Sequence, residues 1–555
     1  MRRWWRSGSP WIWLTAAAVA ASVLALAGII LLLAGQGARS FWPADVWQFT
    51  LRAPLAGQNQ LLGELYARPS VPRQQLIDAG VTLPADTPPT LRRLLVKTGN
   101  RDLSAASPAA REFVLLDEAD VTARRAPPEV LVLDREESGL AYGTLAGMLE
   151  NGQPLVARNL AEELLRRVPE NRALAARAYR LQHHDLARVN HRFEALRLEE
   201  RRLALHDQLD ARAVSRLRAE RIELEYSFSR LTAQLDSINQ ERRRDALLLR
   251  DAAGQLHTLP LNEVHNAWYP NAMSLPQKLL HTARAIWAFL SEDPRASNTA
   301  GGVFPALFGT VLMVVLMSII VMPLGVVAAI YLHEYAGRHW LTRLLRVAVV
   351  NLAGVPSIVY GVFGLGFLVY GVGGSLDRLF FPQALPDPTF GTPGVLWAAL
   401  TLALLTLPVV IVATEEGLSR IPVALRQGSL ALGASQAQTL WRIVLPMAVP
   451  AMLTGMILAI ARAAGETAPL MLVGVVKSVP ALPVDGIFPY LHLDRKFMHL
   501  GFQIYDMALQ SPNVEAAQPL VYATALLLVL IVVGLNLVAM GLRHSLREKF
   551  RTLGL

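Results

Sequence analysis

The chain has 555 residues, of which 53% are hydrophobic, and a formal net charge of +9. That length allows two or three domains, and the hydrophobic content with its positive mean hydropathy exceeds that of a purely soluble protein. Cysteine is absent, which excludes disulfides, thiolate metal sites and cysteine nucleophiles. The positive charge does not indicate nucleic-acid binding, because the arginines lack interleaved aromatic residues that would stack bases. Composition therefore predicts a membrane protein with a soluble part.

The N-terminal segment begins with Arg2, Arg3 and Arg6 and continues as an uncharged stretch over residues 7–38. This stretch exceeds the roughly 20 residues that a helix needs to cross a bilayer. It is also longer than the apolar region of a cleaved signal peptide, which is the competing interpretation. The arginines place the N-terminus in the cytoplasm by the positive-inside rule. Residues 1–40 are therefore predicted to form a cytoplasmic N-terminus and the first membrane helix.

The next region, residues 41–274, contains no stretch apolar enough to span a bilayer and is predicted to be an extracytoplasmic α+β domain. Residues 44–157 have short apolar runs between turn residues, which indicates a mixed or β-rich module. Residues 158–250 are helical in composition and carry a heptad pattern. The pattern fits a coiled coil or a helical hairpin, and it equally fits one long amphipathic helix packed on its own domain. The heptad positions are Leu196, Leu203, Asp210, Leu217, Leu224, Leu231 and Ile238.

Residues 275–555 are predicted to form a membrane core. An amphipathic helix at residues 275–290 is expected along the outer membrane surface. Uncharged spans follow at about residues 303–332, 347–371, 394–414, 446–475 and 518–541, which gives six with the first. Six spans return the C-terminus to the cytoplasm and leave residues 41–300 outside. The concentration of Arg and Lys in the loops that this topology places inside supports it.

A polar, partly basic segment at residues 427–446 separates the fourth and fifth spans. Gly433 can break a helix, and Pro446, which lacks an N–H donor, can end one stretch or open the following helix. Between them, residues 434–444 are predicted to form a short amphipathic helix with Leu440, Ile443 and Val444 on one side. Such a helix can sit in a groove of a partner. The alternative is an ordinary surface loop between two membrane helices.

The spacing from Gly433 to Ile443, Leu445 and Pro446 resembles the cytoplasmic EAA loop of ABC importer permeases, although Gln427 stands where that loop usually has Glu. Residues 300–545 as a whole resemble the phosphate ABC transporter permease of the PstA type. The resemblance rests on residues 301–306 (GGVFPA), 330–335 (IYLHEY), 355–361 (VPSIVYG), 414–416 (TEE) and 461–469 (ARAAGETAP), the last being the most specific to the phosphate branch. The large domain at residues 41–274 resembles that of an extended subgroup.

The resemblance implies a mainly α, polytopic fold with six transmembrane helices and a type I ABC importer permease core, in the bacterial inner membrane. It implies as partners a second permease subunit (PstC-like), an ATPase dimer (PstB-like) and a periplasmic phosphate-binding protein (PstS-like), besides membrane lipid. ATP would be used by the ATPase, and this chain would bind no cofactor. Within the coupling segment, residues 415–446, the matching positions are Gln427, Gly433, Ala434, Ser435, Trp441, Ile443, Leu445 and Pro446.

Arg462 and Glu466 are four residues apart inside an apolar segment and are expected on one face of the fifth helix. Ionised groups at bilayer depth cost about 2.5–3.5 kcal/mol on insertion scales, so such a pair normally faces a cavity or a partner helix. The two side chains can form a structural ion pair. Alternatively, Arg462 supplies charge to a passing oxyanion while Glu466 holds it at other times, which the resemblance favours. Thr467 can offer a hydroxyl at the same place.

Motifs that the sequence lacks narrow the remaining interpretations. No Gly-x-x-x-x-Gly-Lys-Ser/Thr segment is present, so the chain is expected to be a non-enzymatic subunit whose ATPase is a separate chain. No His or acidic cluster has metal-ligand spacing. A signalling receptor would need a cytoplasmic output domain, and a secondary transporter would not need a coupling segment. A permease for sulfate, molybdate or a phosphonate remains the nearest alternative.

Overall fold

The computed structural model describes residues 9–55, 58–78, 88–100, 103, 112–295, 300–337, 339–511 and 514–552, so that Arg2, Arg3 and Arg6 lie outside the described part. The chain divides into two compact units. We call Met1–Ser40 together with Val303–Leu555 the membrane unit, and Phe41–Gly302 the inserted unit.

The described helices, in chain order, are α1 (Ser9–Ala38), α2 (Arg73–Asp78), α3 (Leu160–Arg180), α4 (Ala187–Leu205), α5 (Ala211–Arg242), α6 (Leu275–Ser291), α7 (Phe304–Ile330), α8 (Trp340–Leu352), α9 (Ser357–Phe363), α10 (Gly374–Phe380), α11 (Val395–Ser419), α12 (Val423–Ala431), α13 (Gln436–Thr439), α14 (Leu445–Gly465), α15 (Ala468–Val473), α16 (Leu500–Tyr505) and α17 (Val514–Thr552). Wider π-helical turns continue several of them, at Leu181–Leu186, Tyr331–Tyr335, Gly364–Gly373, Leu440–Val444 and Asp506–Gln510.

The described strands are β1 (Val46–Leu55), β2 (Gln58–Ala67), β3 (Ser70–Pro72), β4 (Thr90–Lys97), β5 (Phe113–Asp117), β6 (Val121–Arg125), β7 (Val130–Arg135), β8 (Gly139–Glu150), β9 (Gln153–Pro154), β10 (Asp245–Arg250), β11 (Leu256–Pro260), β12 (Val264–Trp268), β13 (Pro294–Arg295) and β14 (Ala300–Gly301).

Six described helices of the membrane unit are long and apolar enough to cross a bilayer, which confirms the predicted number. In the span Val395–Ser419, the fourth, 67% of the most apolar stretch is buried. The corresponding share is 0% in the first span and 6% in the sixth, so the fourth span is central and these two are peripheral. Close packing around span 4 depends on small residues, since a Cβ at Gly417 would lie 2.3 Å from that of Ala451. The spans, numbered 1 to 6, are Trp11–Ala38, Phe304–Tyr335, Ser357–Phe380, Val395–Ser419, Gln436–Gly465 and Val514–Ser545.

Spans 3 and 5 differ from the predicted boundaries. Span 3 begins at Ser357 rather than near residue 347, because a turn in which Gly354 N–H donates to the Asn351 carbonyl ends α8, and Pro356 then caps a new helix. Span 5 begins at Gln436 and ends at Gly465 rather than near residue 475. Apolarity alone predicted one segment in each case, because hydropathy does not register these breaks.

The inserted unit contains two six-stranded antiparallel sheets. In the first, strands run in the order β3-β4-β2-β1-β6, with β5 also paired to β4. In the second, the order is β11-β10-β8-β7-β12, with β9 also paired to β8. Leu131, Leu133, Leu247 and Leu249 form the core of the second sheet, and Leu164 of α3 packs into the same cluster. The β-rich module predicted at residues 44–157 is thus completed by strands β10–β12, which follow the helical segment.

The helical segment between the sheet strands is a hairpin, which is one of the two predicted arrangements. The chain turns after α4, and α5 returns antiparallel with Leu196 and Leu217 buried between the helices. The ring of Phe193 lies 6.5 Å from that of Phe228. An ion pair of 2.6 Å joins Arg216 to Glu199 across the hairpin. The heptad leucines therefore face a second helix of the same chain.

Helix α6, which the sequence analysis placed with the membrane core, belongs to the inserted unit. The Phe289 ring packs against Phe41, with ring centroids 5.2 Å apart, and Lys278 Nζ contacts the Asp45 carboxylate at 2.5 Å. The structure thus moves the domain boundary from residue 274 to Gly302. The contacts of Phe289 and Lys278 hold the helix on this unit, whereas the apolar side chains of Leu279, Ile286 and Trp287 stay exposed.

Candidate coupling segment and charged site

The segment between spans 4 and 5 is a pair of helices joined by a tight turn. Span 4 ends at Ser419, α12 follows, and Gly433 reverses the chain with a φ of +85°. Residues other than glycine carry a Cβ and are strained at this backbone angle. Ser435 then caps α13: its Oγ accepts from the Gln438 N–H at 3.2 Å, and the Gln438 side chain accepts from the Ser435 N–H at 2.9 Å.

The second helix of the segment runs directly into the membrane. The π-helical turn Leu440–Val444 joins α13 to α14 without a break, so Pro446 lies within one continuous helix, Gln436–Gly465. The structure has neither of the two predicted roles for Pro446. Ala434 lies in the turn, half-buried, and Leu445 is the first residue of α14.

The predicted docking face of this helix is turned inward. Leu440 and Val444 are buried in a cluster with Leu418 and Ile421 from the end of span 4, and Ile443 is only half-exposed. The expectation that these residues fill a partner's groove is therefore wrong for this conformation. The most exposed of the large apolar side chains of the segment are those of Leu432, at 91%, and Trp441, at 71%, and the side chains of Val423, Leu425 and Leu430 are exposed as well.

Arg462 and Glu466 are close together, but by a different geometry from the predicted one. The helix ends at Gly465, and Glu466 has an extended backbone with φ −81° and ψ 120°. Arg462 Nε lies 3.7 Å from Glu466 Oε1, and the side chains are 32% and 22% exposed. The pair is therefore looser and wetter than a hydrogen-bonded ion pair within a helix. A guanidinium held in this way retains donors for another anion.

The break in span 5 is lined by two other segments of the membrane unit. Thr467 precedes α15, and a Cβ at Gly501 would lie 2.2 Å from Thr467 Oγ1, so the Thr467 side chain packs closely on the Gly501 backbone. On another side, a Cβ at Gly361 of α9 would lie 2.8 Å from the Cα of Pro469. The structure thus brings Arg462, Glu466 and Thr467 to one break between packed helices.

A second charged pair, which sequence reasoning missed, lies further along the chain. Lys477 Nζ is 3.1 Å from Asp506 Oδ2, and the Asp506 side chain is almost fully buried. Nearby, Asp485 accepts from Arg495 Nη1 at 2.5 Å and from the Ile487 N–H at 2.8 Å, which fixes the loop between α15 and α16. The partners in each pair are 29 and 10 residues apart, so neither helical spacing nor a local motif could have indicated them.

This loop closes the end of the bundle opposite the coupling segment. The Gly394 N–H donates to the Val473 carbonyl and the Val395 N–H to the Arg495 carbonyl, each at 2.9 Å. Both donors lie at the start of span 4, whose other end leads into the coupling segment. In sequence, the helix break at Glu466 lies between the coupling segment and this loop.

Comparison with known proteins identifies the family. A family described as "Binding-protein-dependent transport system inner membrane component" matches residues 321–552, all within the membrane unit. The phosphate transport system permease protein PstA 1 of Mycobacterium tuberculosis is 37% identical over 272 residues, which cover 49% of this chain and 79% of the relative. This chain belongs to the PstA family of phosphate transport permeases. Its relatives are membrane subunits of transport systems, and the inserted unit is not part of the family match.

Other PstA-type and PstC-type permeases are similar over shorter stretches. PstA of Yersinia pestis is 34% identical over 251 residues, covering 45% of this chain and 75% of the relative. PstC of Xylella fastidiosa is 31% identical over 187 residues, covering 32% and 57%. Among solved structures, the inward-facing MetNI methionine ABC transporter aligns with 49% of this chain and 99% of its own, at 18% identity and a TM-score of 0.32. That score adds nothing to the sequence comparison.

Proposed function

We propose that this PstA-type chain is the transmembrane permease subunit of an ATP-driven phosphate importer. It would form the translocation path with a second, PstC-like permease and take energy from a PstB-like ATPase dimer. A periplasmic PstS-like protein would deliver phosphate. The single observation that best supports this proposal is the coupling segment, where Leu432 beside the Gly433 turn and Trp441 in the π-helical turn that leads into span 5 are both exposed.

The coupling segment is suited to receive force from a partner on its exposed side. Large apolar side chains that are almost fully exposed in a single chain are typical of a contact surface. Trp441 and Leu432 are therefore the side chains that we assign to the ATPase contact, in place of Leu440 and Val444. ATP-driven closure of the ATPases would move this segment as a rigid body and rock the spans joined to it. ATP is used by the partner, and this chain contributes movement only.

Arg462 is the group that we assign to the passing oxyanion. A guanidinium presents donors in a planar fork that matches phosphate oxygens, and such charge-assisted hydrogen bonds are stronger than neutral ones. Glu466, 3.7 Å away, would hold the guanidinium when no anion is present, and Thr467 would add a hydroxyl donor. For phosphate to replace Glu466 as the partner of Arg462, the ion pair between the two side chains must be loose. The end of the helix at Gly465 makes it so.

The proposed topology follows the sequence analysis. Both termini would be cytoplasmic, the coupling segment would face the cytoplasm, and residues 41–300 would lie in the periplasm of a bacterium, with the six spans in its inner membrane. The positive-inside rule supports this arrangement, because Arg343, Arg346, Arg420 and Arg426 lie near the coupling end of the spans.

Uptake of radiolabelled phosphate by cells with this chain as their only such permease tests the proposal. Wild-type cells should take up phosphate despite excess sulfate or molybdate. Arg462→Gln should reduce uptake about tenfold or more, because a hydrogen bond to a charged group contributes about 1.5–3 kcal/mol. Arg462→Lys should retain part of the activity, since it keeps the charge but not the planar fork. Amounts of each variant in the membrane are measured by immunoblot.

The control is Arg378→Gln, which changes an arginine of α10 that contacts only its own helix in the described hydrogen bonds. This variant should transport normally. Block by sulfate or molybdate would overturn the assignment of phosphate. Normal transport by membrane-inserted Arg462→Gln would show that this arginine only packs the helices.

A further inference from the structure

Arg426, on the first helix of the coupling segment, joins that segment to the ends of two spans. Its Nη1 lies 3.0 Å from Glu334 Oε1, and its Nη2 donates to the Leu418 carbonyl at 2.8 Å. Glu334 belongs to the last turn of span 2, and Leu418 to the last turn of span 4. The side chains of Arg426 and Glu334 are 20% and 16% exposed. One guanidinium thus joins α12 both to the end of span 4, which directly precedes it, and to the end of span 2, which is distant in sequence.

The two bonds add to weaker or local ones, since the Leu418 carbonyl also accepts from the Ile421 N–H at 3.3 Å and Glu334 lies 3.1 Å from His333 Nδ1. The last four carbonyls of a helix have no intrahelical donor, and Leu418 is the penultimate residue of α11. A basic side chain at a helix C-terminus also interacts favourably with the helix dipole. Because the planar guanidinium has donors on separate nitrogens, it can serve the carbonyl and the carboxylate together, which a lysine cannot do in the same geometry.

The coupling segment itself is cross-linked, so that the position of Arg426 is fixed relative to span 5. The hydroxyl groups of Ser429 on α12 and Thr439 on α13 are 2.8 Å apart, and both residues are buried. Leu440 and Val444, which follow Thr439, belong to the same buried apolar cluster as Leu418. A displacement of α12 is therefore shared with the start of span 5.

We infer that Arg426 is a positioning residue that transmits the movement of the coupling segment to spans 2 and 4. This inference rests on the proposed function. Without Arg426, α12 would keep its apolar contacts but lose its polar bond to span 2. Glu334 would then retain His333, whose Nδ1 is 3.1 Å away, as its described hydrogen-bonding partner. The nearby ion pair of 2.6 Å between Arg346 and Glu415 joins α8 to span 4 and does not replace this bond, because neither residue lies on α12 or α13.

The number of phosphate ions moved per ATP hydrolysed, measured in proteoliposomes that contain the whole transporter, tests this inference. Arg426→Gln and Glu334→Gln should each leave ATP hydrolysis in place and lower phosphate moved per ATP about fivefold or more, in the range typical of coupling between sites. The double variant R426E/E334R restores opposite charges and should recover a substantial part of the loss. Arg420→Gln is the matched control, because Arg420 lies in the same segment but is exposed, and its described ion pair is a 3.8 Å contact to Glu416.

The outcomes separate this inference from the proposed function. If the wild-type assembly moves no phosphate with ATP, the proposed function fails. If the wild type transports and both single variants keep the wild-type ratio, Arg426 does not transmit movement. Equal loss in the singles and the charge-reversed double variant also contradicts the ion-pair argument. If Arg426→Gln does not assemble with the ATPase, Glu334→Gln, which leaves the coupling segment unchanged, decides the question.

Discussion

At the scale of single residues, the sequence indicated the importance of Arg462 and Glu466 but not their geometry. Two opposite charges inside an apolar segment were a clear signal, because uncompensated charges are costly there. Their helical register was wrong, since the helix ends at Gly465 and Glu466 is extended. The cause of this helix end is visible in residues 465–469 (GETAP), because Pro469 favours the first turn of a new helix.

His265 of the inserted unit is held between two carboxylates, and this arrangement has a pH dependence. Its Nδ1 lies 3.1 Å from Glu136 and its Nε2 3.2 Å from Glu292. Burial lowers the pKa of His265, but the hydrogen bonds to both carboxylates outweigh it, so its pKa is raised above the ordinary value. The carboxylates experience the reverse: burial raises the pKa of Glu136 and that of Glu292, but the bond to His265 and nearby arginines leave both lowered.

We expect the His265 contribution to stability to be complete below the unfolded pKa of about 6.5 and to disappear as pH rises through the higher folded value. Hydrogen exchange of the β12 amides, corrected for intrinsic rates, should show less protection at about pH 8 than at about pH 6. His265→Gln should remove this difference. His257→Gln should keep it, since His257 contacts Asp251 instead. Equal protection of the wild type at both pH values would contradict the role of the imidazolium.

At the scale of elements, periodicity predicted which helices exist, and local backbone chemistry decided where they end. The heptad leucines fitted either a helix pair or one long amphipathic helix, and the structure has the hairpin α4–α5. The Gly433 turn was also predicted, and its positive φ is observed. The sequence pattern of the coupling helix could not show what its apolar face packs against. An amphipathic face can bind a partner or the same chain, and Leu440 binds the end of span 4.

The turn at Gly433 allows a matched test within one segment. Gly433→Ala should strain the left-handed backbone by about 1–2 kcal/mol and reduce phosphate uptake, although a Cβ there meets no neighbour within 4 Å. Gly433→Asn should be tolerated better, because asparagine adopts this conformation more readily. Gly428→Ala is the control: that site is equally open, lies within α12 and lacks a positive φ. Uptake by Gly433→Ala equal to that by Gly428→Ala would contradict the strain argument.

At the scale of the whole molecule, hydropathy was sufficient to predict the number of spans in the membrane unit but not the architecture of the inserted unit. The number of spans follows from long apolar segments alone. The second sheet could not be predicted in the same way, because β10 pairs with β8, about a hundred residues earlier in the chain, and the helical hairpin lies between them. The helical pattern of residues 158–250 extended the helical prediction over Asp245–Arg250, which is a strand.

We propose that this permease moves phosphate with energy from ATP and not from an ion gradient. The most direct measurement is phosphate accumulation in proteoliposomes that contain this permease, its permease partner, the ATPase and the binding protein. With ATP on the ATPase side and no ion gradient, phosphate should accumulate inside the vesicles only when the binding protein is present. Accumulation that follows an imposed proton or sodium gradient without ATP would contradict the account.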